Sequence, residues 1–218
     1  MQAIVEAVGL QMKDLYPPAE DDGPYTREGR RLPRRSLGKS VAWYDYQDWE
    51  GRLVYQVVKR VDGAGRKDFV QRRPNGRGGW EYGLGQVRPV LFRLPVIFQR
   101  HEHPVLVAEG EKCVLALESM GLLATCNPGG TGMGWHDHYS EYLCGRRVVV
   151  LPDADEPGRR HADRVVGSLI RHGVRSVRVV DLYADRDDGA DVADWIEAGG
   201  TRESLVDLIR QSPEWRCA

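Results

Sequence analysis

The chain has 218 residues, 41% of them hydrophobic, and sets 31 Lys plus Arg against 32 Asp plus Glu for a formal net charge of −1. That is enough length and apolar content for one large or two small globular domains with a buried core. A balance so close to neutral argues neither for nor against a polyanionic partner, so the distribution of basic residues matters more than their sum. No apolar stretch has the length of a membrane-spanning helix, and the N-terminus lacks the pattern of a secretory signal, so a cytoplasmic location without a membrane partner is expected. Cys113, Cys126, Cys144 and Cys217 form no CxxC pair and no histidine follows them at finger spacing, so no zinc is expected.

Met1 to Tyr16 reads as a short helix, with Ile4, Val5, Val8 and Leu15 on one face and Pro17-Pro18 ending it. From Ala19 to Ser40 the chain is polar, rich in Pro, Gly and Arg, and without an apolar period, which suits a basic connecting segment. Residues 1–40 are therefore expected to form an N-terminal helix and linker. Between Val41 and Arg100 strand-like runs alternate with turn residues: 41–46, 52–58, 67–73, 80–83 and 90–94. This predicts a small antiparallel β-rich subdomain over residues 41–100, with Lys59, Arg60, Lys67, Arg72 and Arg73 on its later part. Together with Tyr55, Phe69, Trp80 and Tyr82 these bases have the mixture that tracks a phosphate backbone while stacking on bases, or else they form a solvated sheet face over core aromatics.

From Pro104 the pattern becomes strand and helix in alternation: 105–108, 111–120, 122–125, 147–151, 157–172 and 176–181. That predicts a doubly wound α/β domain over residues 101–218. Two of its strands end in acids: Val105-Leu-Val-Ala-Glu109-Gly-Glu-Lys112 and Val148-Val-Val-Leu-Pro-Asp153-Ala-Asp155-Glu-Pro-Gly158. Acids leaving the carboxyl ends of neighbouring parallel strands converge on one crevice, where they suit a hard divalent cation. If the second strand runs on, Asp153 and Asp155, two apart, share a face. A short helix at 191–197 and a final helix capped by Thr201 complete the pattern. His101-x-His103 and His136-x-His138 lack a third ligand at suitable spacing and read as loop histidines.

These residues carry a resemblance. A Glu-Gly after one hydrophobic strand and an Asp-x-Asp after another about forty residues on resemble the TOPRIM domain of bacterial-type primases, topoisomerases and OLD-family nucleases. Val107-Ala-Glu109-Gly-Glu-Lys112, Thr125-Cys-Asn-Pro-Gly-Gly130, Val150-Leu-Pro-Asp-Ala-Asp-Glu-Pro-Gly158 and Gly189-Ala-Asp-Val-Ala-Asp-Trp-Ile-Glu-Ala-Gly-Gly200 are similar to the TOPRIM primases of phages, plasmids and integrated elements. The resemblance implies a TOPRIM fold, a Rossmann-like parallel sheet with flanking helices, preceded by the basic β-rich subdomain. It implies Glu109, Asp153 and Asp155 as catalytic and metal-binding acids, with Mg²⁺ or Mn²⁺ as the ion. Asp191 is the additional candidate acid, with a helix N-cap as its structural alternative. Lys112, Gly129 and Gly130 are candidates for nucleotide phosphate, although Met133 stands where relatives often have a lysine.

The activity implied is that of a primase-type nucleotidyltransferase, with single-stranded DNA template and nucleoside triphosphates as partners and a replicative helicase or other replication protein beside them. The alternatives are a TOPRIM nuclease acting on DNA or RNA, and a non-catalytic nucleic-acid-binding replication accessory. Relatives often add a zinc-binding module and a helicase region, neither of which lies within these residues, so the chain is expected to be a minimal core, a fragment, or a protein that borrows template recognition.

Overall fold

A computed structural model of the chain describes residues 38–216. The expected N-terminal helix, nearly all of the basic linker, and Cys217 lie outside the described residues. By their contacts the described residues divide into a smaller unit, 38–43 with 58–85, and a larger unit, 44–57 with 86–216. The expected boundaries at residues 40 and 100 differ from this division, which assigns 86–100 to the larger unit.

The four strands of the first sheet are β1 (Lys39–Gln47), β2 (Leu53–Val61), β3 (Lys67–Pro74) and β4 (Trp80–Tyr82), in the order β1-β2-β3-β4. Their turns have a common chemistry. In Asp48-Trp-Glu-Gly-Arg52 and again in Asp62-Gly-Ala-Gly-Arg66 the aspartate Oδ1 accepts the backbone N–H groups two and four residues on. Gly51 and Gly65 sit at φ 86° and 78°, where a side chain would be strained. Asn75 does the same for the turn into β4, accepting from the amides of Arg77 and Gly79.

The second sheet has the order β6-β5-β7-β8-β9, formed by β5 (Val105–Val107), β6 (Ala124–Thr125), β7 (Arg147–Val150), β8 (Ser176–Val179) and β9 (Trp215–Arg216). β6, β5, β7 and β8 run parallel, and β9 pairs antiparallel on the β8 edge. Central strands covered on both faces should be continuously apolar. Val105, Leu106 and Val107, and Val148, Val149 and Val150, are all buried.

Seven helices are assigned among the described residues: α1 (Leu94–Gln99), α2 (Glu111–Ser119), α3 (Gly130–Met133), α4 (Asp137–Glu141), α5 (Glu156–Arg171), α6 (Val192–Glu197) and α7 (Arg202–Gln211). α5 follows its apolar period closely, burying Ala162, Val165 and Leu169. Thr201 caps α7 as expected, accepting from the Ser204 amide. No helix among the described residues is long and apolar enough to cross a membrane.

The strand expected over residues 90–94 is not formed. Val90, Leu91, Phe92 and Leu94 are all buried, but α1 begins at Leu94, with Pro95 in its first turn, immediately after Arg93, which turns at φ 62°. A run of apolar residues has no period with which to tell a strand from a buried turn and helix. Phe92 nevertheless bonds to the β6 region, taking the Cys126 carbonyl and accepting from Thr125 Oγ1.

Candidate active site

The register of the central strands brings the acids together. Val107 pairs with Val150, so β5 and β7 end level, and Glu109 and Asp153 leave the same sheet edge two and three residues later. β6 lies on one side of β5 while β7 and β8 lie on the other. The crevice between β5 and β7 is thus the point at which strand order reverses, the place where open α/β sheets bind ligands.

The Asp153 amide points at Glu109 Oε1 across 3.5 Å, the outer limit of a hydrogen bond. Burial raises the Glu109 carboxyl to about 7, and the charge on Asp155 adds to the effect against the opposing Asp153 amide. Asp153 is raised further, to about 8, first by burial and then by Glu109, Asp191, Asp155 and Asp194. The charges that raise Asp153 are all acidic, a setting in which a bound cation would favour the ionised carboxylates.

Asp155 does not extend the strand beside Asp153, as the two-residue spacing suggested. β7 stops at Val150, Pro152 offers no amide to a ladder, and Asp155 becomes the N-cap of α5, accepting the Gly158 amide at 2.7 Å. It stays close enough to raise both Glu109 and Asp153. Gly158 is a site residue in its own right. A Cβ there would lie 2.7 Å from Glu109 Oε1 and 2.7 Å from the Asp153 carbonyl, so only glycine lets the helix start against the acids.

Asp191 is the N-cap of α6 in a reciprocal capping box with Asp194. Its charge still reaches Asp153. Lys112 Nζ pairs with Asp194 Oδ1 at 3.1 Å and Glu197 Oε1 at 3.6 Å, so its ammonium is engaged with α6. Gly129 and Gly130 lie at φ 72° and 48°, and a Cβ on Gly130 would meet the Glu109 carbonyl at 2.9 Å. The glycine loop therefore rests on the backbone of Glu109. Met133 packs its side chain against Gly129.

Three further residues belong to this region. The Tyr46 hydroxyl, fully buried, donates to Glu111 Oε1 at 2.8 Å and so braces the turn that follows Glu109. Asn127 donates to the carbonyls of Gly130 and Gly134 at 2.9 and 3.0 Å, holding the glycine loop, and its Oδ1 faces His161 Nε2 at 3.3 Å. Tyr46 and Glu111 are 65 residues apart and Asn127 and His161 are 34 apart, and no local pattern marks either pair.

Among the described residues no three His, Cys, Asp or Glu side chains are grouped so as to hold a metal ion by themselves. The donor set still fits magnesium or manganese, which bind through one or two carboxylates, retain waters and take substrate phosphates as further ligands. Glu109 and Asp153, half-buried together against like charge, are such carboxylates.

In the smaller unit the basic residues take different positions. Arg60 and Arg72 are buried: Arg60 Nη2 donates to the Tyr82 hydroxyl at 3.1 Å, and the Arg72 guanidinium stacks 4.0 Å from the Trp80 ring centroid. Arg73 donates to the Gly83 carbonyl and pairs with Glu81. Lys67 and Phe69 are exposed and Lys59 is half-buried. Tyr55, expected as a stacking surface, is core of the larger unit, hydrogen-bonded to the Val90 carbonyl.

A mostly parallel sheet with this strand order, acids on one edge and an antiparallel sheet before it, gives the chain a TOPRIM-like α/β fold. Solved structures of similar fold include DNA primase catalytic cores. The chain matches a primase structure from Aquifex aeolicus, comprising zinc-binding and RNA polymerase domains, with TM-score 0.59 and 24% identity over 78% of this chain and 40% of that one. It matches a DNA primase domain from Pseudomonas aeruginosa with TM-score 0.61 and 19% identity over 87% and 55%. It matches a DnaG primase catalytic domain bound to single-stranded DNA with TM-score 0.58 and 19% identity over 86% and 57%. The chain thus spans between 40% and 57% of the length of these structures, and at such identities the likeness is one of fold. No protein-family profile and no curated protein sequence matches it.

Proposed function

We propose that the chain is the catalytic portion of a primase-type nucleotidyltransferase that joins nucleotides on a single-stranded DNA template. The observation that carries this reading is the Glu109 and Asp153 pair, raised to about 7 and about 8 at the crevice of a primase-like fold. A phage, plasmid or integrated element is its proposed source.

Glu109, Asp153 and Asp155 would hold Mg²⁺ or Mn²⁺, with Asp191 adding charge from behind. When bound, the ion neutralises charge on the nucleotide phosphates as the 3′-hydroxyl displaces pyrophosphate. The protein's own work is positioning. Asp153 and Glu109 present oxygens from two level strand ends, Gly158 keeps α5 clear of them, and the Gly129-Gly130 turn offers a backbone without side chains to the phosphates. Lys112 is held at α6 by Asp194, from which a nucleotide phosphate would draw it. Template binding is assigned to the smaller unit through Lys67, Lys59, Arg73 and the exposed Phe69, with Arg60 and Arg72 supporting them from within.

The test is incorporation of labelled ribonucleotides and deoxyribonucleotides on single-stranded DNA with Mg²⁺ or Mn²⁺. Metal-dependent, template-dependent products that Asp153→Ala and Asp155→Ala abolish are expected. Degradation of DNA or RNA without added nucleotides would replace this reading with the nuclease. Salt-sensitive DNA binding with no turnover would replace it with the accessory.

A further inference from the structure

We infer that His161 is a positioning residue for Glu109, acting through one water molecule held in the cavity that both residues line. The inference rests on the metal-dependent reading of Glu109 given above.

The hydrogen-bond inventory fixes the imidazole tautomer. Asn127 spends its amide N–H groups on the carbonyls of Gly130 and Gly134, so the atom it turns toward His161 is Oδ1, which can only accept. His161 Nε2 must therefore carry the hydrogen, leaving Nδ1 as a bare acceptor. His161 is 3% exposed, and its Nδ1 is buried without a hydrogen-bond partner. Burial also pushes the ring's pKa down to about 4, with Arg164 acting in the same direction, so the second nitrogen does not escape this situation by protonation near neutral pH. A buried acceptor of this kind calls for a donor.

The surroundings supply room for one. His161 and Glu109 line the same cavity of ≈ 10 Å³, walled otherwise by apolar groups such as Val107, Val150 and Val165. That volume accommodates about one water molecule. A water there donates one hydrogen to His161 Nδ1 and the other to the Glu109 carboxylate, whose contact with the Asp153 amide is long at 3.5 Å. Because Nδ1 can only accept, the water's orientation is set, and with it the rotation of the glutamate. His161 also steadies Glu109 from the other side: its partner Asn127 holds the loop in which Gly130 rests on the Glu109 carbonyl. Outer partners of this kind change metal affinity or turnover by about 10- to 100-fold.

Two substitutions and one spectrum test this. His161→Leu fills the space without an acceptor, whereas His161→Gln restores one. Calorimetric titration with Mn²⁺ should show affinity weakened about tenfold in His161→Leu and largely recovered in His161→Gln, with nucleotide incorporation following through kcat rather than KM. Independently of folding in either variant, the ¹⁵N spectrum of the metal-free parent should show His161 as the Nε2–H tautomer, with an Nδ1 resonance that moves on Glu109→Gln. Unchanged Mn²⁺ affinity in His161→Leu, or an Nδ1 resonance indifferent to Glu109→Gln, would overturn the inference. If the parent joins no nucleotides, the primase reading falls, while the titration and the spectrum still decide the role of His161.

Discussion

Gly158 lies so close beneath Glu109 that a Cβ on it would stand 2.7 Å from the glutamate Oε1 and equally near the Asp153 carbonyl. The backbone carbonyl cannot yield as a flexible side chain could, so Gly158→Ala must push α5 away from both acids. We expect a folded protein whose nucleotide incorporation falls by about 100-fold, as for other displacements of about an ångström at a reacting centre. Circular dichroism for the fold and initial rates for the activity check this; near-parental rates would show that the helix start is free to shift.

The raised acids make stability depend on pH. Burial and neighbouring acids push Glu109 up to about 7 and Asp153 up to about 8 in the folded chain, well above the ordinary carboxylate range. The native state therefore binds more protons than the unfolded state between about pH 4 and 8, and stability falls as pH rises through that window. Metal-free protein should lose about 1–2 kcal/mol from this pair between pH 5 and 8, after allowance for solvent screening. Asp153→Asn should flatten the dependence and stabilise the chain at pH 8 while abolishing activity, and added Mg²⁺ should restore the parent. Urea denaturation at the two pH values, with chelator or Mg²⁺, reads the stability outcomes, and nucleotide incorporation reads the activity.

Tyr46→Phe removes the hydroxyl that donates to the buried Glu111 but keeps the ring, which stacks on Tyr55 at 4.6 Å. A charge-assisted bond of this type is worth about 1.5–3 kcal/mol. We expect a drop of that size in unfolding free energy and a smaller loss of activity, because Glu111 heads the helix that follows Glu109 and Gly110. Loss of stability without any change in turnover would confine the pair to a structural role.

Exposed and buried bases should separate in DNA binding. Lys67→Ala should weaken binding to single-stranded DNA and reduce the salt slope by about 0.7, the contribution of one phosphate contact. Arg60→Met should cost about 1 kcal/mol of stability, since the Tyr82 hydroxyl loses its partner, and should alter the salt slope less. Fluorescence anisotropy over a salt series and urea melts distinguish the two. An equal slope change for both would place Arg60 at the phosphate backbone.

Most elements were legible in the sequence because their signals are local. The apolar runs of β5 and β7, the period of α5, the Asp and Gly of the hairpin turns and the Thr201 cap each act within a few residues of themselves. So does the placing of Glu109 and Asp153 at strand ends. The run from Val90 to Leu94 was not legible, because uninterrupted burial erases the period that would tell strand from helix.

What the sequence by itself determined is a parallel α/β domain with two acidic strand ends, a glycine loop and a basic β-rich segment before it. Only the tertiary structure decided which of these meet. The order β6-β5-β7-β8 and the level pairing of Val107 with Val150 put Glu109 beside Asp153, while Asp155 and Asp191 were taken up as helix caps. It buried Arg60 and Arg72 against aromatic rings and joined Tyr46 to Glu111 and Asn127 to His161. Such pairings follow from strand order and from the need of buried polar groups for partners, and neither is written in the spacing of residues along the chain.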